Sequence, residues 1–371
     1  MYTITAQKGD DEVVVHGRVD PNARIKDGKL TEYINTSPMF SYTIYPNNPG
    51  YDMMEDMLTK VEVYDRKASE SIFVGRIYST SDVMSGDGVI YKTITCEGEL
   101  AYLCDTVQPY RHFIQGRVLQ EAIDVILDTH NQKVDDGRKI SPYGGALTVL
   151  PEEYEAEYIT TFDMVKELCE LCGYEFRITY SGGTRYLEVK KQFGAQSGTD
   201  IALSVNLKSL QREVKANDIV TRFYPLGAIN PNTGRRLTIA TSGGYLENAA
   251  LKAVYGVVEG CKVYDIAPTE WGDGTAVYAA SNKLKAAGQK DYNKMIGLLT
   301  SFKLEAVDLS LINGDYSDLR MYNTHRVITK LQGIDDTVRI TGRTLYLDEP
   351  QNPTLTFGVK QTTLTGMLAG R

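Results

Sequence analysis

The sequence predicts an α+β fold that is mainly β. Three observations predict it. Short strand-like runs between turn clusters fill the first hundred residues, a helical periodicity takes over between residues 103 and 195, and strand character resumes from 196 to the end. At 371 residues the chain is long enough for two or three domains with a sizeable core. Its 42% hydrophobic and 24% charged residues suit an ordinary folded protein.

In the first region, Val13-Val14-Val15, Ser41 to Tyr45, Lys60 to Tyr64, Ser71 to Ile77 and Tyr91 to Glu97 read as strands. The turn clusters between them include Asp27-Gly28, Pro46-Asn47-Asn48-Pro49-Gly50 and Ser85-Gly86-Asp87-Gly88. Several short strands at this spacing suggest an all-β barrel or sandwich over 1–102. Next, Leu119, Ala122, Ile123, Ile126 and Leu127 fall on one face of an amphipathic helix. A second helix starts near Thr160, with Asp163 completing a weaker capping box. Phe162, Val165, Leu168 and Cys172 form its apolar stripe, and Gly173 is its expected stop. Tyr174, Phe176, Ile178 and Tyr180 then alternate with polar residues, Ser181-Gly182-Gly183-Thr184 turns the chain, and Tyr186 to Lys190 returns. These elements make an α+β insertion over 103–195.

From 196 onward, Ile219 to Tyr224 reads as a strand stopped by Pro225 and turned at Gly227. Asn230-Pro231-Asn232-Thr233-Gly234 is a strong turn signal. Val277, Ala280, Leu284 and Ala287 mark a helical insertion near 275–290. Thr300 to Ala306, His325 to Lys330, Thr337 to Tyr346 and Thr354 to Val359 return to strands.

Composition narrows the function. A net charge of −8 and a pI near 5.2 disfavour a general phosphate-binding face and sequence-specific nucleic-acid binding. The five cysteines, Cys96, Cys104, Cys169, Cys172 and Cys261, are odd in number and mostly far apart, as expected of reduced thiols in a protein made in a cytoplasm. The start, Met1 to Thr5, has no basic region followed by an apolar run, and no 18-residue apolar run occurs, so neither a signal peptide nor membrane insertion is expected. Twenty-five tyrosines stand against one tryptophan, Trp271. Strands favour tyrosine, and so do protein contact surfaces.

No constellation for chemistry stands out. Cys169 and Cys172 form a CxxC at the closing end of a helix, where the dipole raises a thiol pKa, and Cys261 supplies no second zinc pair. His16, His112, His130 and His325 form no closely spaced ligand pair, and His130 sits at a helix end that suits a basic side chain. A peptidase pairing of His325 with Cys169 would put the nucleophile at the wrong helix end. Asp135-Asp136-Gly137 and Asp315 with Asp318 lack the ligands of a calcium loop, and Glu152-Glu153 read as surface carboxylates. No catalytic, cofactor-binding or metal residue is therefore expected.

A series of segments carries a resemblance. They are the helix ending in His130-Asn131, Gly173-Tyr174-Glu175-Phe176-Arg177, Lys190-Lys191-Gln192-Phe193-Gly194, Asn206-Leu207-Lys208-Ser209-Leu210 with Val214, Asn217-Asp218 leading into Thr221-Arg222-Phe223-Tyr224-Pro225-Leu226-Gly227, Glu305 to Ser310, and Leu355-Thr356-Phe357-Gly358. In this order the chain resembles the bacteriophage tail-hub family, also called prophage tail endopeptidases or minor structural proteins. The resemblance implies two related β-barrel domains with α+β insertions, the first over 1–102 and the second within 196–371. It implies a baseplate hub at the virion tail tip. Three copies would close a ring of pseudo-sixfold symmetry between the sixfold tail tube or distal tail protein and threefold tip parts. The ring would line a channel for DNA or the tape measure protein, next to tip, fibre or lytic proteins.

Many relatives carry a peptidase or cell-wall hydrolase domain after the hub region. The sequence ends at Arg371, where that region ends, as expected either of a natural short hub or of a longer protein that has been trimmed, and the family's cleavage residues have no expected counterpart within it. The competing expectations are a tail-associated cell-wall hydrolase, the hub of a phage-derived contractile particle, and a host-surface binding module.

Overall fold

The computed structural model describes residues 2–202, 205–211, 219–299, 302–311, 319–329 and 334–357. The chain divides into two compact units, one formed by Met1–Ser209 with Glu305–Leu355 and one built around Leu210–Leu304.

In the first unit, seven strands occupy the N-terminal region. They are β1 (Tyr2–Lys8), β2 (Asp11–His16), β3 (Lys26–Tyr33), β4 (Met39–Ile44), β5 (Lys60–Asp65), β6 (Glu70–Met84) and β7 (Ile90–Gly98). They hydrogen-bond in the order β3-β4-β7-β6-β5-β1-β2. Alternate residues face one core, so Ile4, Ala6, Leu30, Phe40, Tyr42, Ile44, Val61, Val63, Phe73, Ile77 and Ile94 are buried together. Asp27-Gly28 is not a turn. It lies inside β3, where Asp27 has φ +55° and the register to β4 slips between Lys26 and Lys29, the mark of a bulge.

The α+β insertion follows, beginning with a 3-10 segment over Glu99–Asp105 that the sequence did not signal. It contains β8 (Arg111–Phe113), α1 (Leu119–Asn131), β9 (Ser141–Pro142), β10 (Tyr154–Ala156), α2 (Thr161–Cys172), β11 (Glu175–Ser181) and β12 (Thr184–Lys190). The Thr160 hydroxyl accepts from the Asp163 backbone N–H at 3.0 Å, and Gly173 ends α2 in the left-handed region at φ +68°. Both helices bury the predicted stripes, except that Phe162 is half-buried while Met164 and Cys169 lie inside. This module has its own core, joining Leu100 and Tyr102 to α1, α2 and the hairpin.

After β13 (Ile201–Ala202) and β14 (Leu207–Gln211), the second unit forms a four-stranded sheet. Its strands are β15 (Arg222–Ile229), β16 (Arg236–Thr238), β17 (Leu246–Glu247) and β18 (Glu259–Val263). Two helices accompany it, α3 (Ala249–Tyr255), which the sequence reading missed, and α4 (Gly274–Leu299), longer than the predicted 275–290. The chain returns through β19 (Phe302–Ala306), β20 (Thr324–Thr329), β21 (Ile334–Tyr346) and β22 (Thr354–Phe357). In the first unit β21 pairs with β20 and then with β3, from Gly342↔Tyr33 to Tyr346↔Lys29, so late and early strands share one sheet.

Pro225 and Gly227 correct the sequence reading, because β15 runs straight through both. Arg222 N donates to Val258 O, Tyr264 N to Leu226 O and Ala228 N to Ile266 O, so even-numbered residues bond on the β18 side. Pro225 therefore turns its missing N–H to the other side, between the β17 pairing at Phe223 and the β16 pairing at Leu226. Gly227 is needed for closeness, since a Cβ there would press on the Ile266 carbonyl and Leu237.

The fold is thus mainly β with few helices, and the strand pairing among the described residues does not close into a barrel. Asp218, Val214, Asn217, Thr300, Asp315, Asp318, Lys330, Gly358 and Val359 lie outside the described residues.

Candidate functional site

The first unit contains a cleft of about 540 Å³, lined by parts of β1, β3, β6 and β11 and by Asp308, Ser310, Leu311 and Arg320 to Tyr322. Its charges are answered by other groups of the protein. Glu32 takes Nε and Nη2 of Arg343 at 2.9 and 2.7 Å, and Glu70 pairs with Arg320 at 2.8 Å. Asp308 accepts the backbone N–H groups of Ser310 and Leu319, and Asp65 accepts that of Lys67. The Lys67 ammonium donates to the Ser310 carbonyl. Burial pushes the Tyr2 and Tyr322 phenols up to about 12, so both keep their protons at neutral pH. This arrangement braces a wall.

A larger lattice holds the insertion to the N-terminal sheet within the same unit. Arg76 on β6 reaches Glu97 at 2.8 Å and makes a two-pronged contact with Asp105 at 2.7 and 2.6 Å. Arg138 adds a second cation to Asp105 at 3.2 Å. The Tyr102 ring lies between two guanidinium groups, Arg76 at 5.0 Å and Arg185 at 5.1 Å. Arg185 in turn holds Glu99, which also accepts from the Tyr180 hydroxyl. Burial alone would raise the Asp105 pKa, but hydrogen bonds from Arg76 and Arg138 outweigh it and hold the carboxyl below its ordinary range.

The segments that carried the family resemblance are packing devices. Arg339 on β21 forks onto Glu175 and donates to the carbonyls of Phe193 at 2.8 Å and Tyr322 at 2.9 Å. Arg177 lies over the Phe193 ring at 4.3 Å. Gly194, at φ +85°, passes so close to the Tyr322 carbonyl that no side chain fits. Asn206 holds the turn before β14, accepting from Ala202 N at 2.9 Å and donating to Asp200 O at 3.1 Å.

In the second unit each residue from Thr221 to Gly227, Leu226 apart, has a side-chain or close-packing duty. Thr221 ties Val258 N and Gly256 O, Arg222 pairs with Glu247, Phe223 stacks on Tyr292 at 5.8 Å, and Tyr224 donates to Glu259 at 3.0 Å. Pro225 fills the notch left by Gly288 in α4. Tyr292 donates to Thr221 O at 2.7 Å and accepts from Asn248 N at 3.0 Å.

Of the residues weighed for chemistry, His112 meets Glu153 at 3.3 Å with both side chains exposed. Cys169 is buried in the insertion core and Cys172 at its margin, and burial raises both thiols. His325 is buried on β20 with Nδ1 at 3.0 Å from Thr199 O. His130 is no exposed cation at a helix end. It is buried with Nδ1 at 2.7 Å from the Thr106 hydroxyl, and desolvation lowers its pKa. His16 is likewise lowered, by burial and by Arg24. Asp135 pairs with Arg138 and Asp136 with Lys139, as turn carboxylates do. Among the described residues no group of three or more His, Cys, Asp or Glu is placed to hold a metal ion, and no helix is long and apolar enough to cross a membrane.

A family model described as prophage endopeptidase tail matches residues 195–368. The resemblance to the prophage tail family holds. Among solved structures, this prophage-tail-like chain is similar to the 43 kDa tail protein of prophage MuSo2 from Shewanella oneidensis, with a TM-score of 0.66, 12% identity, and 97% of this chain and 98% of that chain covered. It is similar to the tail protein from Neisseria meningitidis MC58, with a TM-score of 0.61, 12% identity and 97% of both chains covered. It is also similar to the E. coli c3393 protein, a component of the type VI secretion system with structural similarity to the T4 bacteriophage tail proteins gp27 and gp5. There the TM-score is 0.50 and the identity 12%, with 96% of this chain and 79% of that chain covered. At such identities the likeness is one of fold. No curated protein matches the sequence.

Proposed function

We propose that this chain is a structural subunit of a phage or prophage tail tip, a baseplate hub that works as a homotrimeric ring. The observation that carries the reading is the fold likeness to the MuSo2 tail protein over 97% of this chain. The family match over 195–368 and the likeness to a protein that itself resembles T4 tail proteins support it. In this reading 1–102 and 196–371 contribute two barrel-like regions and 103–195 is inserted between them. Three copies then present six similar elements to a sixfold tail tube or distal tail protein and three to the tip parts below. A closed ring of this kind needs contacts between two different patches of the same chain. The channel passes DNA or the tape measure protein without reading base sequence, and the site of action is the virion tail.

The role is non-enzymatic in this proposal, with no catalytic, cofactor or metal residue. The Glu32–Arg343 and Glu70–Arg320 pairs commit charged groups of the cleft to bracing. Class averages of the purified protein by electron microscopy test the reading. A threefold ring with an open axial channel is expected, and a solid single-copy particle contradicts it. The word endopeptidase in the family's description motivates a second assay. Peptidoglycan incubated with the purified protein should release no fragments, and turnover lost on replacing a single carboxylate or cysteine would favour the hydrolase.

A further inference from the structure

Two surface segments of opposite charge stand out once the cores and lattices are accounted for. Between Lys139 and Lys166 the chain carries Glu152, Glu153, Glu155, Glu157 and Asp163 and not one Lys or Arg. Four of these carboxylates flank or lie on β10, which forms a two-stranded ribbon with β8. Tyr110 and Tyr158 flank the ribbon with 52% and 76% of their surface exposed, and Tyr158 is held at φ +50°, a conformation uncommon for a bulky residue. Within the ribbon Arg111 on β8 donates to Thr129 and Tyr154 on β10 donates to Glu167 at 2.8 Å. His112 lies 3.3 Å from Glu153, and Tyr110 hydrogen-bonds Glu155.

Between Asp273 and Asp291, α4 shows the mirror pattern. It carries Lys283, Lys285 and Lys290 and no carboxylate, and all three lysines are exposed. Tyr278 is 60% exposed on the same helix. The buried face, with Ala280, Leu284, Tyr292 and Met295, is already used against the sheet of its own unit. The segment 210–304 as a whole carries twelve Lys and Arg against eight Asp and Glu, inside a chain whose net charge is −8.

We infer that the acidic β10 side of the β8–β10 ribbon of one copy docks along the flank of α4 that carries Lys283 and Lys290, one above the other at i and i+7, in a second copy. The inference rests on the ring reading above and supplies its two patches. Charge complementarity selects the occupant, because both signs come from this one chain. A head-to-tail ring requires that pairing of unlike patches, and the exposed Tyr110 and Tyr158 of the ribbon supply the apolar contact area that charge alone lacks.

Charge swaps test it. Glu153→Lys/Glu155→Lys/Glu157→Lys in one chain, and Lys283→Glu/Lys290→Glu in another, should each weaken self-association at least about tenfold in sedimentation at physiological salt. Circular dichroism and the thermal midpoint should stay unchanged. A chain carrying both swaps should regain trimer. The unmodified trimer should also loosen as salt rises from low to high, since added ions screen the contact. An unmodified trimer that ignores salt and both swaps overturns the docking surface but leaves the ring standing. Failure of the doubly swapped chain to recover overturns the pairing of these two patches. An unmodified chain that stays monomeric at high concentration sinks the ring itself.

Discussion

Asp105 shows how single residues hold this molecule. Its carboxylate receives Arg76 and Arg138, with the Asp105 side chain 15% exposed and that of Arg76 6%. Replacing Asp105 by Asn should cost about 3 kcal/mol, because Arg76 keeps Glu97 but loses its two-pronged partner. Denaturant titration of the variant would measure this. The pH dependence has a defined sign. Asp105 ionises in the folded state below its ordinary value, so its contribution is present above that value and disappears as pH falls through the folded pKa, below about pH 4. His130 is lowered by burial, so the unfolded chain takes up a proton near pH 6.5 that the native chain refuses. Stability should therefore decline from about pH 6.5 downward and steepen below about pH 4. The Asn variant should have a shallower second slope, to which Asp135 and Glu188 still contribute, and keep the first. A glycine pair makes another residue-scale test. Gly194→Ala should cost about 3 kcal/mol, since a Cβ would strike the Tyr322 carbonyl at a positive φ. Gly182→Ala, at φ +56° with open space around it, should cost only about 1 kcal/mol.

At the scale of elements, β15 against α4 is the contact most open to test. Gly288→Ala would ordinarily gain about 1 kcal/mol of helix propensity. Here the new methyl meets Pro225, so the variant should be less stable, and pairing it with Pro225→Ala should recover part of the loss in a double-mutant cycle. Thiol labelling tests the placement of the CxxC on α2. Cys261 should react in the native protein, and Cys96 and Cys169, both buried and raised by burial, only after unfolding. These elements also show what the sequence made readable. α1, α2 and the β11–β12 hairpin were legible because each builds its own stripe, cap or turn from neighbouring residues. β15 was misread because a proline's cost depends on which edge its nitrogen faces, and partners at 238, 246 and 259 decide that. α3 was missed because none of its seven residues is buried, so no apolar stripe announced it.

For the whole molecule, the family resemblance was readable in short segments whose purpose was not. Glu175, Arg177, Phe193 and Gly194 read as scattered matches, and only folding brings them together around Arg339 and Tyr322. The pairing of β21 with β3, more than 300 residues apart, has no local signal at all. The charge-paired cleft was equally invisible, because its partners come from distant strands. Self-association belongs to this scale, and it is the central claim. The most direct test is the native mass of the purified chain across a concentration series, by light scattering or mass spectrometry. A ring subunit should reach three times the 41.3 kDa chain mass at high concentration. A particle that keeps the single-chain mass throughout would contradict the account.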